Sequence, residues 1–463
     1  MAIKEPTLAA KLQKLSDELK RTKAPELGHG CRKLYGFDED YHPLNNGSFG
    51  ACPNYVLEAY KHFLDESERR PDSFFRRDYR PPLNRARKEV ADLIHCDLDD
   101  LVLIPNATTG VNAVMRGLNG TWQKGDAILI YQTIYGACGK TAQYIIDTNP
   151  IYQLKLVRVE LAYPLSHADF LAKTEEALQA AQNRGVRVRV AILDAISSLP
   201  GVIVPWQECV QLLRKHEVLS LVDAAHAIGQ IKIDLKKADP DFFTSNCHKW
   251  LSCHRGCALL YVPKRNQHLA LGIPTSHDYE SPNLPKSKGP ILLPSDAPSM
   301  FIKMWEWTGT QDLSSHLSIP YAIEFRKWLG GEDKIIEYNS NLARKGAAIV
   351  KELLGQESTI MDVVDPLDDS PEAKSQRLTA CMSNVSIPLN GSLQGQVLEP
   401  HTLAHVGAEL QTTLSESFDT FVPFYQHDGK VWIRISGQVW LEESDFQWLG
   451  ERLKEVLASK GYA

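Results

Sequence analysis

One lysine in this sequence has neighbours that suit it to covalent chemistry. In Asp241-Phe-Phe-Thr-Ser-Asn-Cys-His-Lys-Trp-Leu251, Lys249 follows a polar turn and has Phe242 and Phe243 on one side, Trp250 and Leu251 on the other. A lysine is ordinarily a solvated surface residue. Apolar flanks place its ammonium in a low-dielectric neighbourhood, which lowers the pKa toward a nucleophilic amine. An amine in that state can hold an aldehyde as an imine.

Three features precede it in fixed order. Thr108 and Thr109 open a helix directly after the apolar run Leu101-Val-Leu-Ile104, so free backbone N–H groups and the positive end of the helix dipole form a seat for a phosphate. Tyr135 lies in a loop after the next apolar run, and Asp223 ends a third. Each has an ordinary explanation: Asp223 as a helix cap, Tyr135 as core. Together they supply what an aldehyde-bearing pyridinium phosphate needs: an imine lysine, a carboxylate for the ring nitrogen, a flat group for the ring face and N–H donors for the phosphate. A Walker loop is excluded, because its glycine run and lysine are both missing.

A metal site competes for the same stretch, since Cys247, Cys253 and Cys257 alternate there with His248 and His254. Structural zinc sites pair ligands at Cys-x2-4-Cys spacing twice, and no second pair follows. The expectation is no metal, with Cys257 a small core residue. Nine cysteines without a pairing pattern suit reduced thiols in a cytoplasmic enzyme. A net charge of −6 gives no basic surplus for nucleic acid. No apolar run is long enough to span a bilayer, and the first residues lack the apolar core of a signal peptide.

Elements that would position these groups follow from periodicity. Leu8, Leu12, Leu15 and Leu19 form one stripe of a helix over 6–20, read as an arm packed on the body or on a partner subunit. Leu44 to Gly50 reads as a tight turn. Helices are expected over 55–68, 82–94, 107–117, 136–146, 172–181, 321–329, 335–354, 401–417 and 443–459. Strands are expected over 101–104, 127–131, 188–193, 218–222, 256–262, 384–389 and 430–435. Arg69, Arg70, Arg76 and Arg77, between the second and third helices, read as a solvated or subunit-facing surface. Strands alternating with helices imply an α/β fold with a mainly parallel, doubly wound sheet and functional groups at the strands' carboxyl ends, where Asp194 and Asp223 fall. The proline-rich stretch 281–298 reads as a long loop over the site. The division is an N-terminal helical arm over 1–43, a large domain over 44–320 and a small C-terminal α/β domain over 321–463.

Asp223-Ala-Ala-His226, the Ser-Asn-Cys-His-Lys segment at 245–249 and Trp432-Ile-Arg-Ile-Ser436 together resemble the class V aminotransferase superfamily, fold type I of the pyridoxal phosphate enzymes. Leu44–Gly50, Asn106–Asn112, Thr133–Cys138 and Pro274-Thr-Ser-His277 resemble a fungal subgroup within it. That subgroup holds the ergothioneine-pathway C–S lyase and the loline-pathway enzyme, with isopenicillin N epimerase-like proteins and plant cysteine desulfhydrases as cousins.

The resemblance implies pyridoxal 5'-phosphate as cofactor, with Lys249 as its imine partner and later the carrier of the substrate's Cα proton. It implies Asp223 at the pyridine nitrogen and His226 near the ring's phenolic oxygen. Thr108, Thr109, Ser245 and His248 would serve the phosphate, and Tyr135 would border the ring. Thr310 would reach the phosphate of the neighbouring subunit in a homodimer with shared sites. Arg434 would grip the substrate's α-carboxylate, for which the alternative is an ion pair within a strand. Asn46 and Ser48 would line the substrate pocket, Asn46 standing where close relatives commonly have histidine. The cysteine loop of true cysteine desulfurases is absent, which argues against persulfide transfer. The implied reaction passes through a Cα carbanion and is a C–S or other β/γ-elimination of fungal specialised metabolism. Carbon–carbon bond formation, as in loline-type alkaloid synthesis, is the alternative, followed by transamination and by a cofactor-free scaffold.

Overall fold

The computed structural model describes residues 6–279, 299–390 and 398–462; the stretch 281–298, expected to cover the site, lies outside them. Seven strands form the main sheet: β1 (Leu101–Ile104), β2 (Ala127–Tyr131), β3 (Lys155–Val159), β4 (Val188–Asp194), β5 (Leu219–Asp223), β6 (Phe242–Asn246) and β7 (Ala258–Tyr261). Their order is β1-β7-β6-β5-β4-β2-β3. β7 pairs antiparallel with both β1 and β6, and every other pairing is parallel. The last strand of the sequence run is thus antiparallel, as expected, but it is internal, with β1 outside it.

Apolar side chains alternate between the two faces, as the pleat requires. Leu101, Leu103, Val222 and Phe243 enter one core cluster, whereas Val102, Ile104, Leu221 and Phe242 enter the other. Helices therefore cover both faces of the sheet, which is buried except at its β3 edge. The small lobe is built on an antiparallel sheet of β8 (Met382–Ile387), β9 (Phe424–His427) and β10 (Lys430–Ser436), with β10 in the centre. Helices Glu332–Leu354 and Pro400–Phe418 pack on it.

β6 and β3 are strands that periodicity did not mark. Phe242-Phe-Thr-Ser-Asn246 looks like a polar turn, yet it is buried throughout. Its hydroxyls find partners in the flanking chain: Thr244 Oγ1 donates to the Leu259 carbonyl at 2.9 Å, and Ser245 Oγ to that of Ala224. A buried hydroxyl bonded in this way carries little penalty. β3 is an edge strand with exposed Lys155 and Arg158, so its pattern is that of surface.

The N-terminal helix, Leu8–Arg21, packs on the chain's own body against helices Asn54–Arg69 and Ile319–Trp328. Ser16 and Tyr55 both donate to Glu324. The stretch expected as a tight turn forms one helical turn, Asn46–Phe49, closed by Gly50 at φ +66°. It stitches the two sheets together: the Ser436 N–H donates to the Leu44 carbonyl at 3.3 Å, and Asn46 Nδ2 donates to the Lys249 carbonyl at 3.0 Å. Arg69, Arg76 and Arg77 pair with Glu66, Asp72 and Asp78 on the exposed surface.

Arg326 fixes the lysine turn from below. Its buried guanidinium donates to both oxygens of Glu332, to the Trp250 carbonyl at 2.8 Å and to the Gly229 carbonyl at 3.1 Å. Removing the guanidinium leaves a partly buried carboxylate and two buried carbonyls unmatched. Arg326→Leu is expected to lower unfolding stability by about 3 kcal/mol, measured by urea denaturation. A loss below about 1 kcal/mol would show that the network is dispensable.

Candidate active site

At the end of β6 the chain enters the short helical turn Cys247–Trp250, which lifts Lys249 above the carboxyl ends of β4 and β5. Lys249 Nζ lies 3.1 Å from His226 Nε2, and the Trp250 indole donates to His226 Nδ1 at 3.3 Å. An indole N–H only donates, so Nδ1 is an acceptor. Burial first, then the charges of Lys249 and Arg434, hold His226 well below the usual histidine pKa. The neutral ring carries its proton on Nε2 and donates it to the lysine's lone pair. Burial, assisted by Arg434, brings Lys249 down to about 8 against the opposing pull of Asp223, Asp194 and Cys138.

Asp223 closes β5 with both oxygens engaged. Oδ1 accepts the Ala225 N–H at 3.0 Å, and Oδ2 accepts the Cys138 thiol at 3.1 Å. Cys138 lies one turn into helix Gly136–Thr148, whose N-cap is Tyr135. The Tyr135 side chain is 48% exposed, as an aromatic bordering an open cleft would be.

The helix Ala107–Gly117 points its first turn toward the same ends. Its N-cap, Asn106, accepts the Thr109 N–H at 2.9 Å and the Thr109 hydroxyl at 3.1 Å, while Asn246 Oδ1 accepts the Ala107 N–H at 2.9 Å. A Cβ on Gly110 would stand 2.5 Å from Thr244 Oγ1, so glycine is what lets this helix lie close on β6. Among the described residues the Thr108 hydroxyl has no partner, and His248 uses Nδ1 on the Cys257 carbonyl at 3.0 Å, leaving Nε2 free. Thr109 and Ser245 differ: their hydroxyls are already held, by Asn106 and by Ala224. Asn246, three residues before the lysine, stands beside the helix N-terminus where Ser245 was expected.

Arg434 on β10 reaches in from the small lobe. Its guanidinium is fully buried and donates to the Ser198 carbonyl at 2.7 Å, to Asn45 Oδ1 at 3.0 Å and to Ser48 Oγ at 3.4 Å. Among the described residues no carboxylate pairs with it, and its Nε has no acceptor. Burial lowers its pKa to about 10. A buried cation without a counter-charge is costly unless an anion completes it. Asn46 Oδ1 is likewise buried and unmatched.

Thr310 is exposed on the loop after helix Met300–Glu306, and no described contact joins it to the Lys249 cluster. The three cysteines at 247, 253 and 257 are buried free thiols, and among the described residues no His, Cys, Asp and Glu cluster is arranged to hold a metal. The sequence reading missed Cys138, Asn106, Asn246, Asn45 and Ser198. Only Asn106 carried a readable signal, as a capping residue before Thr-Thr.

Residues 50–276 match the family described as aminotransferase class-V. The L-cysteine desulfhydrase-like protein lolT1 of Epichloe uncinata is 31% identical, the match covering 93% of this chain and 95% of that protein. The chain belongs to the class V aminotransferase family. It is a pyridoxal phosphate-dependent enzyme of fold type I. Hercynylcysteine sulfoxide lyase of Schizosaccharomyces pombe is 30% identical over 89% of this chain and 93% of its own. Among solved structures, a C-DES mutant with glycine covalently linked to the PLP cofactor superposes with a TM-score of 0.71 at 17% identity, covering 91% of this chain and 98% of its own. Among the described residues no helix is long and apolar enough to cross a membrane.

The donor set of this class V enzyme fits the cofactor. An amine of lowered basicity, a carboxylate fixed by two donors and a helix N-terminus beside a free hydroxyl and a free imidazole nitrogen gather at the same strand ends. In the cofactor-free protein, capture of a small aldehyde by Lys249 is expected to rise with pH around a midpoint of about 8. Arg434→Gln removes a neighbouring positive charge, makes the amine more basic and moves that midpoint up. Asp223→Asn removes a negative charge and moves it down. Reductive alkylation followed across pH measures all three, and a midpoint at the ordinary 10.5 would contradict the burial argument.

Proposed function

We propose that this enzyme is a C–S lyase acting on a sulfur-containing amino acid. The observation that carries the reading is the buried, uncompensated guanidinium of Arg434 near Lys249, whose ammonium form burial disfavours, which fits an α-amino acid held by its carboxylate. The names of two relatives, a cysteine desulfhydrase-like protein and a sulfoxide lyase, support sulfur as the leaving atom. The fungal sources of both support a role in fungal specialised metabolism.

Bound, the cofactor supplies an electron sink that makes the substrate's Cα–H acidic. Asp223 holds the ring nitrogen, and His226 stands on the side of the ring's oxygen. Thr108, Thr109, His248 and the first turn of helix Ala107–Gly117 receive the phosphate, with Asn246 fixing that turn; Ser245 acts through the backbone it braces. Tyr135 covers the ring face. Arg434, oriented by the Ser198 carbonyl, Asn45 and Ser48, takes the α-carboxylate in a bidentate grip. That grip sets Cα beside Lys249 Nζ. Lys249 Nζ, 3.1 Å from His226 Nε2, turns its lone pair from that ring to the substrate to act as the base, and the resulting ammonium returns the proton during elimination. In the balance, an S-substituted cysteine and water give a thiol, pyruvate and ammonium. The large domain of 44–320 and the small domain of 321–463 meet at this site. The arm of 1–43 braces the body, and a homodimer partner brings Thr310 to the phosphate.

With cysteine, cystine and S-substituted cysteine sulfoxides as a panel, mass analysis should find keto acid, ammonia and the sulfur fragment in equal amounts. A retained amino acid with a new carbon–carbon bond would instead support the bond-forming alternative. Lys249→Ala should lower turnover by about 10³-fold or more. Arg434→Gln should raise KM by roughly 100-fold with a smaller change in kcat.

A further inference from the structure

β4 and β5 are parallel neighbours, and their register places Asp194 directly beside Asp223. Paired residues of adjacent parallel strands lie about 4.8 Å apart and project to the same face. Both residues are buried, at 7% and 4% exposure, and both stand at the carboxyl ends of their strands. Their surroundings differ. Asp223 accepts one donor on each oxygen, from Ala225 N–H and the Cys138 thiol. Asp194 has no hydrogen-bond partner among the described residues.

The groups whose fields reach Asp194 come from every element around it: Asp223 on β5, Lys249 after β6, Cys138 on helix Gly136–Thr148 and Tyr163 after β3. The Tyr163 hydroxyl is itself buried and unpartnered. Two carboxylates at this separation face each other in low dielectric, and the Lys249 charge only partly offsets their repulsion. Such a pair keeps one proton. The two donors on Asp223 stabilise its anion, so the proton belongs on Asp194. Burial first, then the charge of Asp223, drives Asp194 well above the usual carboxylate range, against the opposing effect of Lys249.

We propose that Asp194 is a positioning residue that stays a neutral carboxylic acid and thereby keeps Asp223 the single negative charge offered to the cofactor's ring nitrogen. The role toward the ring rests on the reading of Asp223 given above. An ionised Asp194 would set a second, unpartnered negative charge beside the carboxylate that would hold the ring nitrogen. A neutral Asp194 avoids this and stands in reserve: when Asp223 loses its charge, Asp194 is free to ionise in its place.

Two readouts on the full-length holoenzyme test this. The first is the protonated-carboxyl band in the infrared spectrum at about pH 8, where Asp100, with a pKa raised to about 6, is ionised. The band is expected in the wild type and absent in Asp194→Asn, a near-isosteric change whose fold is checked by circular dichroism. No wild-type band, or a band unchanged in Asp194→Asn, overturns the neutral carboxyl.

The second readout is the cofactor dissociation constant. Asp194→Asn should stay within about twofold of wild type, Asp223→Asn should weaken binding about tenfold, and the double variant should weaken it by about 100-fold or more, beyond the product of the singles. Effects that multiply, or Asp194→Asn as damaging as Asp223→Asn, overturn the positioning role. If the band behaves as expected but Asp223→Asn leaves cofactor affinity unchanged, the placement of the ring nitrogen at Asp223 fails while the neutral Asp194 stands.

Discussion

A lysine whose ammonium form is disfavoured by burial is the constraint on which the rest of this structure depends. Water is excluded from Lys249 on most sides, so the ammonium form is disfavoured, and Arg434 disfavours it further. The His226 proton on Nε2 then finds a lone pair to bond. That tautomer is set in turn by the Trp250 indole, one residue after the lysine, so the turn carrying the nucleophile also fixes the ring beside it.

The backbone around that turn is correspondingly tight. A Cβ on Gly50 would fall 1.9 Å from the His248 carbonyl oxygen, and one on Gly229 would fall 2.4 Å from that of Trp250. Both glycines also hold positive φ, so side chains are excluded there twice over. Arg326 ties the Trp250 and Gly229 carbonyls together from beneath. Charge is arranged with the same economy. The acids Asp194 and Asp223 stand side by side at the ends of β4 and β5, while the buried Arg434 guanidinium enters from β10 on the other sheet.

Much of this was legible in the sequence where burial is simple. Continuous apolar runs marked β1, β2, β4 and β5, because a parallel sheet covered on both faces needs no polar alternation. The long helices showed their stripes, and Lys249, Asp223, His226 and Arg434 were readable from motifs whose residue types have few other uses in that order. Legibility failed where tertiary partners overrule local pattern. Thr244, Ser245 and Asn246 look like a turn until the carbonyls of Leu259 and Ala224 are in place. Ser245 and Asn246 point to opposite sides of β6, so a shift of one residue decides which of them meets the helix N-terminus. Cys138 and Asn45 gave no signal, because their partners Asp223 and Arg434 are remote in sequence.

The central claim is that the cofactor is held by Lys249 and by no other lysine. Borohydride reduction of the holoenzyme, followed by proteolysis and mass mapping of the cofactor-labelled peptide, tests it most directly. The account predicts one phosphopyridoxyl group per chain on the peptide containing Cys247-His-Lys-Trp250. A label on a different lysine, or reduced protein carrying no label, would contradict it.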